Sequence, residues 1–260
     1  MKKLNHSIAI LITGLLLFSC SKNNDNSEEI FEPTDANSLI AYYQFNNNLK
    51  DSSSNTVEAT ATSSNYGLDR DNKNNSSYTL DGSADSAINT SDFPLESGSF
   101  SISFWLKIDD SQYTNEIVNL GRHIFGTRAT CNRSKFFNII YTHSRSDGDE
   151  KIISAEINNS VSGDFSVVAT DFPTNVWTHI VYTVDDEAKE SKIYFNGTLE
   201  NTSTWENLNV DVSNTAPLTI GSNVCSGEDG SENITGSNID DLAIFSSVLT
   251  SNQISDLASN

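Results

Sequence analysis

A strict two-residue repeat of apolar side chains is the strongest structural signal in this chain. The segment FSISFWLKI, at positions 100–108, places an apolar side chain at every second residue. Successive side chains of a strand point to opposite faces, whereas a helix repeats every 3.6 residues, so this segment predicts a strand with one face in a core. Residues 179–184 alternate in the same way, and Asn196-Gly197 is typical of a tight hairpin turn.

Shorter segments of the same character recur along the chain, with turn residues about every ten positions. The further strands predicted are Leu39–Phe45, Ser77–Leu80, Glu116–Leu120, Phe136–Tyr141, Lys151–Ile157, Ser191–Phe195, Leu218–Ile220 and Ile239–Phe245. This pattern predicts an all-β fold, a two-sheet antiparallel jelly-roll sandwich. One short C-terminal helix is expected after Thr250, because Gln253 completes a capping box with that residue.

Composition limits the classes of function. Of the 260 residues, 36% are hydrophobic and 9% aromatic, which is enough for a buried core. The formal net charge of -20 argues against a nucleic-acid partner, because a polyanion needs a basic surface.

The N-terminus predicts export. A basic start and a short apolar run, residues 8–18, are typical of a signal peptide and too short to span a membrane. The run ends in Leu-Phe-Ser-Cys, which resembles a bacterial lipoprotein signal and implies lipidation of Cys20. The alternative is an ordinary secretory signal. From the lipoprotein signal we expect a signal peptide at 1–19, the lipidated Cys and a flexible acidic tether at 20–37, and one domain at 38–260. The lipid on the Cys would anchor this domain to the outer membrane.

The order of the segments from Leu39 to Leu257 resembles the laminin-G-like branch of the concanavalin A-like lectin/glucanase superfamily. The pieces that carry the resemblance are LIAYYQFNNNLKDSSSN, YTLDGSADSAINT, SFSISFWLKI, WTHIVYTVD, SKIYFNGTL, LTIGSN and NIDDLAIFSSVLTSNQISDL. The resemblance implies a concanavalin A-like jelly roll. Lectins, adhesins, hydrolases, lyases and spacers all use this fold, so it implies no single activity.

Catalytic residues are not predicted. Hydrolases that resemble this family carry several acids at alternate positions of one strand, which aims them into a cleft. Here Glu156 lacks companion acids, and the acidic segments 147–150 and 228–232 are rich in Gly and Ser and predict loops. His179 is interpreted as a buried or strand-face histidine. A carboxylate pair from separate strands is the alternative.

Two cysteines remain besides Cys20. Cys131 and Cys225 would lie outside the reducing cytoplasm, so a disulfide between them is expected. The alternative is two unpaired thiols. The chain has no Cys-x-x-Cys pair, which argues against structural zinc.

Two features suggest ligand contacts. Arg122, Arg128 and Arg133 lie in a window, residues 122–135, that has no acid. They would form either a cationic rim for a carboxylated or sulfated sugar, or a loop that compensates acids such as Glu232. Trp205 lies among Thr and Asn residues and is the best candidate for an exposed ring on which a sugar could stack.

Calcium is the one cofactor that we expect, in a structural role. Asp51 opens a polar turn after the first strand, and Asp240 lies in the last. The resemblance implies a ligand role for Asp240, because the matching acid is often a calcium ligand in related glucanases. The alternative is a turn role for Asp51 and a solvated Asp240.

The sequence thus predicts a cell-surface lipoprotein with a non-catalytic carbohydrate-binding or adhesion module. A protein–protein adhesion or spacer domain is the first alternative, and a diverged polysaccharide hydrolase or lyase is the second.

Overall fold

The structure is a computed structural model of the chain. It describes residues 38–91, 93–95, 97–113, 121–127, 135–144, 148–159, 164–214, 216–222, 224–225 and 231–260. The chain divides into two compact units, Met1–Phe31 and Glu32–Asn260, and every described residue belongs to the second.

Sheet A has eight strands and contains both the first and the last strand of the described chain. Its strands are β1 (Leu39–Tyr43), β3 (Tyr66–Gly67), β4 (Ser77–Leu80), β6 (Phe100–Ile108), β11 (Thr178–Asp185), β12 (Glu190–Phe195), β13 (Thr198–Thr204) and β16 (Ser237–Phe245). They lie in the order β13-β12-β11-β6-β16-β4-β3, and β1 also pairs with β16. All of these pairings are antiparallel.

Sheet B also has eight strands. They are β2 (Ala59–Thr60), β5 (Ile88–Thr90), β7 (Gly121–Gly126), β8 (Phe136–Ser144), β9 (Glu150–Asn158), β10 (Asp164–Ala169), β14 (Thr219–Ile220) and β15 (Ser231–Asn233). The order is β10-β9-β8-β7-β14-β5-β2, and β15 runs parallel beside β7. This arrangement confirms the predicted two-sheet sandwich.

The core lies between the two sheets and is filled by the alternate residues that predicted the strands. Phe104 of β6 meets Phe125 of β7 edge-to-face, with ring centroids 4.9 Å apart. Ile153, Ala155 and Ile157 of β9 are fully buried in the same cluster. Because side chains alternate across a strand, the residues between them face away from the core.

A helix at the C-terminus covers part of the outer face of sheet A. Helix α1 (Ser251–Ser259) begins at the predicted capping box, in which the Thr250 side chain accepts from the Gln253 amide. Ser101, which faces outward from β6, accepts from the Leu249 amide at 2.9 Å and anchors the segment before the helix. In the described part of the chain, the outer face of sheet B carries no α-helix.

Several sequence predictions match the strands closely, and others do not. The predicted strands Ser77–Leu80 and Phe100–Ile108 have the bounds that were expected, and the Asn196-Gly197 hairpin turn has positive φ at both residues, 48° and 79°. Strands β7 and β10 were not predicted, and the predicted strand Glu116–Leu120 lies outside the described residues.

Within the described chain, no helix combines the length and apolar character needed to span a membrane.

Candidate functional site

Five polar side chains and one glycine form a row across the outer face of sheet B, with one residue from each of six neighbouring strands. Strand pairing places them side by side, in the order Ser166, Glu156, Asn138, Gly126, Thr219 and Asn89. Their chain neighbours, such as Ala155 and Ile139, fill the core, so these residues face the other way. We call these six residues the polar row.

The centre of the polar row is a carboxylate held by an amide. Asn138 Nδ2 donates to Glu156 Oε2 at 3.1 Å. Asn138 is only 5% exposed, and its Oδ1 has no hydrogen-bond partner among the described residues. An unpaired buried carbonyl is costly, so Asn138 is an unusual residue at the centre of the row.

Gly126 is a position of close packing within the polar row. A Cβ at this position would lie 2.4 Å from the carbonyl oxygen of Phe137 and 2.7 Å from Cβ of Asn138. No side chain fits there, because atoms of β8 already occupy the space that a Cβ would take.

A second carboxylate lies on the same face. Asp164 of β10 pairs with Asn158 of β9 and accepts a hydrogen bond from its Nδ2. Along β9, the outward positions hold two acids, Glu150 and Glu156, with Ile152 and Ser154 between them. These two acids are six residues apart and are not at alternate outward positions of the strand.

Arg122 does not form part of an exposed cationic rim, so this prediction is wrong. The bulge in β7 turns Arg122 inward, opposite the buried Tyr141, and the residue is only 3% exposed. Its guanidinium forms an ion pair with Glu232 and lies 5.5 Å from the centre of the Tyr113 ring. The alternative, compensation of a nearby acid, is the arrangement found. Arg128 and Arg133 lie outside the described residues.

The connection from β7 to β8 is fixed at both of its ends. Asn214 Nδ2 donates to the carbonyl oxygens of Thr127, at 3.0 Å, and Lys135, at 2.7 Å. Lys135 also forms an ion pair with Asp211 at 2.8 Å. Segment 128–134, which holds the two other arginines, therefore starts and ends at defined points beside Gly126 and Asn138.

Trp205 is not an exposed sugar platform, which corrects a second prediction. It is only 9% exposed and stacks on Phe165, with ring centroids 4.0 Å apart and an interplanar angle of 12°. Its Nε1 donates to the carbonyl oxygen of Leu208. Trp205 therefore closes the edge of the core beside β10.

The two residues predicted to bind calcium have protein partners. Asp51 accepts hydrogen bonds from the backbone amides of Tyr42, Ser53 and Val57, each at 2.8 Å, and so fixes the turn after β1. Asp240 forms an ion pair with Arg70 at 2.9 Å. In the described part of the chain, no group of three or more His, Cys, Asp and Glu side chains is placed to hold a metal ion. The calcium site stays a prediction.

Asp240 belongs to a buried charged cluster on the outer face of sheet A. It is only 3% exposed, and burial raises its pKa to about 9, with a further contribution from the charge of Asp241. Arg70 opposes this shift, because it pairs with both acids and also lies 4.9 Å from the centre of the Trp105 ring. The cluster joins β16 and β6 to the loop that carries Arg70.

His179 lies next to this cluster and has the structural role that the sequence indicated. It is buried on a strand face, and its Nε2 is 2.8 Å from Ser103 Oγ. Burial, followed by the charge of Arg70, lowers the pKa of His179 to about 3, so the ring is neutral at physiological pH.

Cys225 is fully buried and disulfide-bonded. Cys131 lies outside the described residues, so the pairing of Cys131 with Cys225 stays a prediction. Cys20 and the signal and tether segments also lie outside them.

Asn138 is not among the residues that the sequence predicts for the site, and Glu156 is set aside there because it lacks companion acids. A signal was available, since both are polar residues at the outward positions of two predicted neighbouring strands, Phe136–Tyr141 and Lys151–Ile157. What the sequence did not supply was the register that places these residues side by side.

Solved structures with the same fold include sugar complexes. Domain 4 of an extracellular GH43 arabinanase from Geobacillus stearothermophilus, in complex with arabinotriose, is 24% identical, with a TM-score of 0.59 over 85% of this chain and 98% of that one. The ligand binding domain of botulinum neurotoxin serotype D, in complex with N-acetylneuraminic acid, is 20% identical, with a TM-score of 0.62 over 86% of this chain. This chain spans about half of that toxin domain, 51%.

Comparison with curated proteins gave no match. A laminin G-type family model, described as concanavalin A-like lectin/glucanases superfamily, matches residues 80–255. That range covers most of both sheets, including every residue of the polar row. The chain belongs to the concanavalin A-like lectin/glucanase superfamily.

Proposed function

We propose that the chain is a glycan-binding module whose ligand lies on the outer face of sheet B, across the polar row. The observation that carries this proposal is the pair Glu156 and Asn138 at the centre of the polar row, with an Asn138 amide oxygen that has no partner among the described residues. Sugars are recognised by planar polar side chains that exchange hydrogen bonds with hydroxyl groups. The sugar complexes of the two structural neighbours support the same class of ligand.

A glycan array tests the proposal. The full chain would carry Cys20→Ala, so that no lipid interferes, and would be compared with the same chain carrying Glu156→Gln. Glu200→Gln is the matched control, because Glu200 is an exposed acid on β13 of sheet A and is not one of the six residues of the polar row. We expect binding that Glu156→Gln reduces and Glu200→Gln leaves unchanged. A chain that binds no glycan would contradict the proposal and favour a spacer or protein-adhesion role.

We also propose that the module is displayed on the outer membrane through a lipid on Cys20. The support is the sequence alone: a basic start, a short apolar run and a serine before the cysteine. The wild-type protein expressed in a bacterium should fractionate with membranes, and Cys20→Ala should be released or misprocessed. A soluble mature wild-type protein that starts at another residue would exclude lipidation.

We retain the Cys131–Cys225 disulfide as a proposal, supported by the buried, bonded state of Cys225. It would enclose 93 residues. In the chain-entropy model a loop of this length contributes roughly 4–5 kcal/mol before strain. Peptide mapping of the unreduced protein should recover the two cysteines in one linked pair. Recovery of Cys225 linked to another cysteine would contradict it.

A further inference from the structure

We infer that the glycan of this module carries an acetamido group, and that this group lies on a patch of aliphatic side chains beside the polar row. The inference rests on the proposed function and names the class of ligand for the same face of sheet B. The patch consists of Ile140 of β8, Ile152 of β9 and Val168 of β10, with Ser154 among them. We call these four residues the aliphatic patch.

Strand pairing brings the side chains of the aliphatic patch together. Ser154 of β9 is paired with Ile140 on one side and with Val168 on the other. Ile152 lies two residues before Ser154 on the same strand, so it is on the same face about 7 Å away. All four alternate along their strands with core residues such as Ala155, and they therefore face outward.

The aliphatic side chains are open to solvent. Val168 is 37% exposed, and Ile140 and Ile152 are half-buried. Apolar side chains that are scattered singly over a surface need no explanation, whereas contiguous ones mark binding surfaces. Helix α1 covers part of the outer face of sheet A, but the residues that the structure describes place no α-helix on this face of sheet B. The patch is therefore available to an apolar group of a ligand.

Two serine hydroxyl groups lie where the aliphatic patch meets the polar row. Ser154 belongs to the patch, and Ser166 of the polar row lies two residues before Val168 on β10. Neither hydroxyl group makes a hydrogen bond within the described part of the chain. A hydroxyl group both donates and accepts, so each serine can pair with the N–H or the C=O of an amide. Apolar contacts and hydrogen bonds are thus offered side by side.

An acetamido group matches this combination better than a hydroxyl group does. Its methyl group would leave water for the aliphatic side chains, which favours binding. A sugar hydroxyl group in the same place would lose hydrogen bonds to water and gain none from the aliphatic side chains. The N–H and C=O of the acetamido group can pair with Ser154 and Ser166. The four residues of the patch are uncharged, so this recognition requires no charge on the sugar.

An array of matched glycans tests the inference. It would pair chitotriose with cellotriose and N-acetyllactosamine with lactose, because the members of each pair differ only in acetamido groups that replace hydroxyl groups. The full chain with Cys20→Ala should bind the acetamido members roughly tenfold more tightly, since a methyl contact and a hydrogen bond each contribute a few-fold.

A substitution in the patch, with a matched control, locates the contact. Val168→Thr should reduce the preference for acetamido glycans roughly fourfold, because a hydroxyl group replaces one methyl group while the side chain stays β-branched. Val176→Thr is the control, because Val176 is 51% exposed and lies outside both sheets. It should leave the preference unchanged, and thermal melting would establish that both variants are folded.

The remaining outcomes separate this inference from the proposed function. Equal binding of the two members of each pair, or binding of the hydroxyl members alone, would overturn the inference and leave glycan binding intact. A preference that Val168→Thr leaves unchanged, or that Val176→Thr reduces as much, would also overturn it, because the acetamido group would then lie elsewhere. No binding to any glycan of the array would overturn the proposed function, and this inference with it.

Discussion

The guanidinium of Arg70 donates from Nη1 to Oδ2 of Asp240 at 2.9 Å, and the Asp240 side chain is only 4% exposed. Arg70 also pairs with Asp241 at 2.8 Å, so its removal leaves the two neighbouring acids, Asp240 and Asp241, without their cation. We expect Arg70→Met to lower the free energy of unfolding by about 3 kcal/mol in urea denaturation. Lys192→Met, at the more exposed Lys192–Glu190 pair, should cost no more than about 1 kcal/mol. Equal losses of unfolding free energy for the two variants would contradict the expected difference between the buried and the more exposed ion pair.

The same carboxyl predicts how stability depends on pH. The folded-state pKa of Asp240, about 9, lies above its ordinary value of 3.8, so folding favours the protonated form. The stabilising contribution is complete below the ordinary pKa and is lost as pH rises through the folded pKa. The wild-type Tm should therefore fall more steeply than that of Asp240→Asn between about pH 4 and about pH 9. Parallel Tm curves would show that Asp240 does not titrate there.

Trp205 should behave as a core residue. Its ring stacks on Phe165, so truncation opens a cavity at the edge of the sandwich. We expect Trp205→Ala to cost about 3–5 kcal/mol of unfolding free energy, and Trp205→Phe to cost clearly less. Glycan binding by the folded Trp205→Phe protein should match that of wild type. A variant with unchanged stability and lost binding would restore Trp205 as a ligand platform.

Gly126→Ala tests the close packing of β7 against β8. A Cβ there would meet backbone and Cβ atoms of β8 at less than 3 Å, so Gly126→Ala requires strands to shift. The expected cost is about 1–3 kcal/mol of unfolding free energy, measured by denaturant unfolding. Gly121→Ala is the matched control on the same strand, because the nearest atom would be Ile140 Cγ2 at 3.4 Å. Equal losses of stability for the two variants would show that the effect is general to β7 and does not come from the close packing at Gly126.

Thermal melting of the protein tests whether it binds calcium. If Asp51 or Asp240 contributes to a calcium site, the wild-type Tm should rise with excess calcium relative to chelator, because an ion that binds only the folded state stabilises it. Asp240→Ala should abolish this rise. Identical melting of the wild type in both conditions would remove calcium from the description of this protein.

The sequence predicted the strands best where alternation is unbroken. Strand β6 has its predicted bounds because its periodicity is a local property. Strand β7 escaped prediction because a bulge between His123 and Phe125 interrupts the alternation, and Arg122 and His123 are both buried. Strand β13 is almost wholly exposed, so it has no apolar pattern, and its place follows from pairing with β12.

The candidate site was harder to predict because it depends on register and on tertiary contacts. Asn138 and Glu156 are partners only in the pairing of β8 with β9, which a one-residue slip would undo. The polar neighbours of Trp205 in the sequence predict an exposed ring. In the fold this ring packs against Phe165, which lies 40 residues before Trp205 in the chain. The charge of Arg122 is visible in the sequence and predicts a surface loop. The bulge that turns this residue inward is not visible in the sequence.

The two hydrogen bonds from Asn214 to Thr127 and Lys135 have a practical consequence for engineering. This side chain bridges the two residues that flank segment 128–134 and so links the end of β7 to the start of β8. The residues of the segment other than Cys131, which the proposed disulfide needs, can therefore be varied. Libraries that vary them, while they keep Asn214 and the residues that it binds, would sample ligand preference on a constant scaffold.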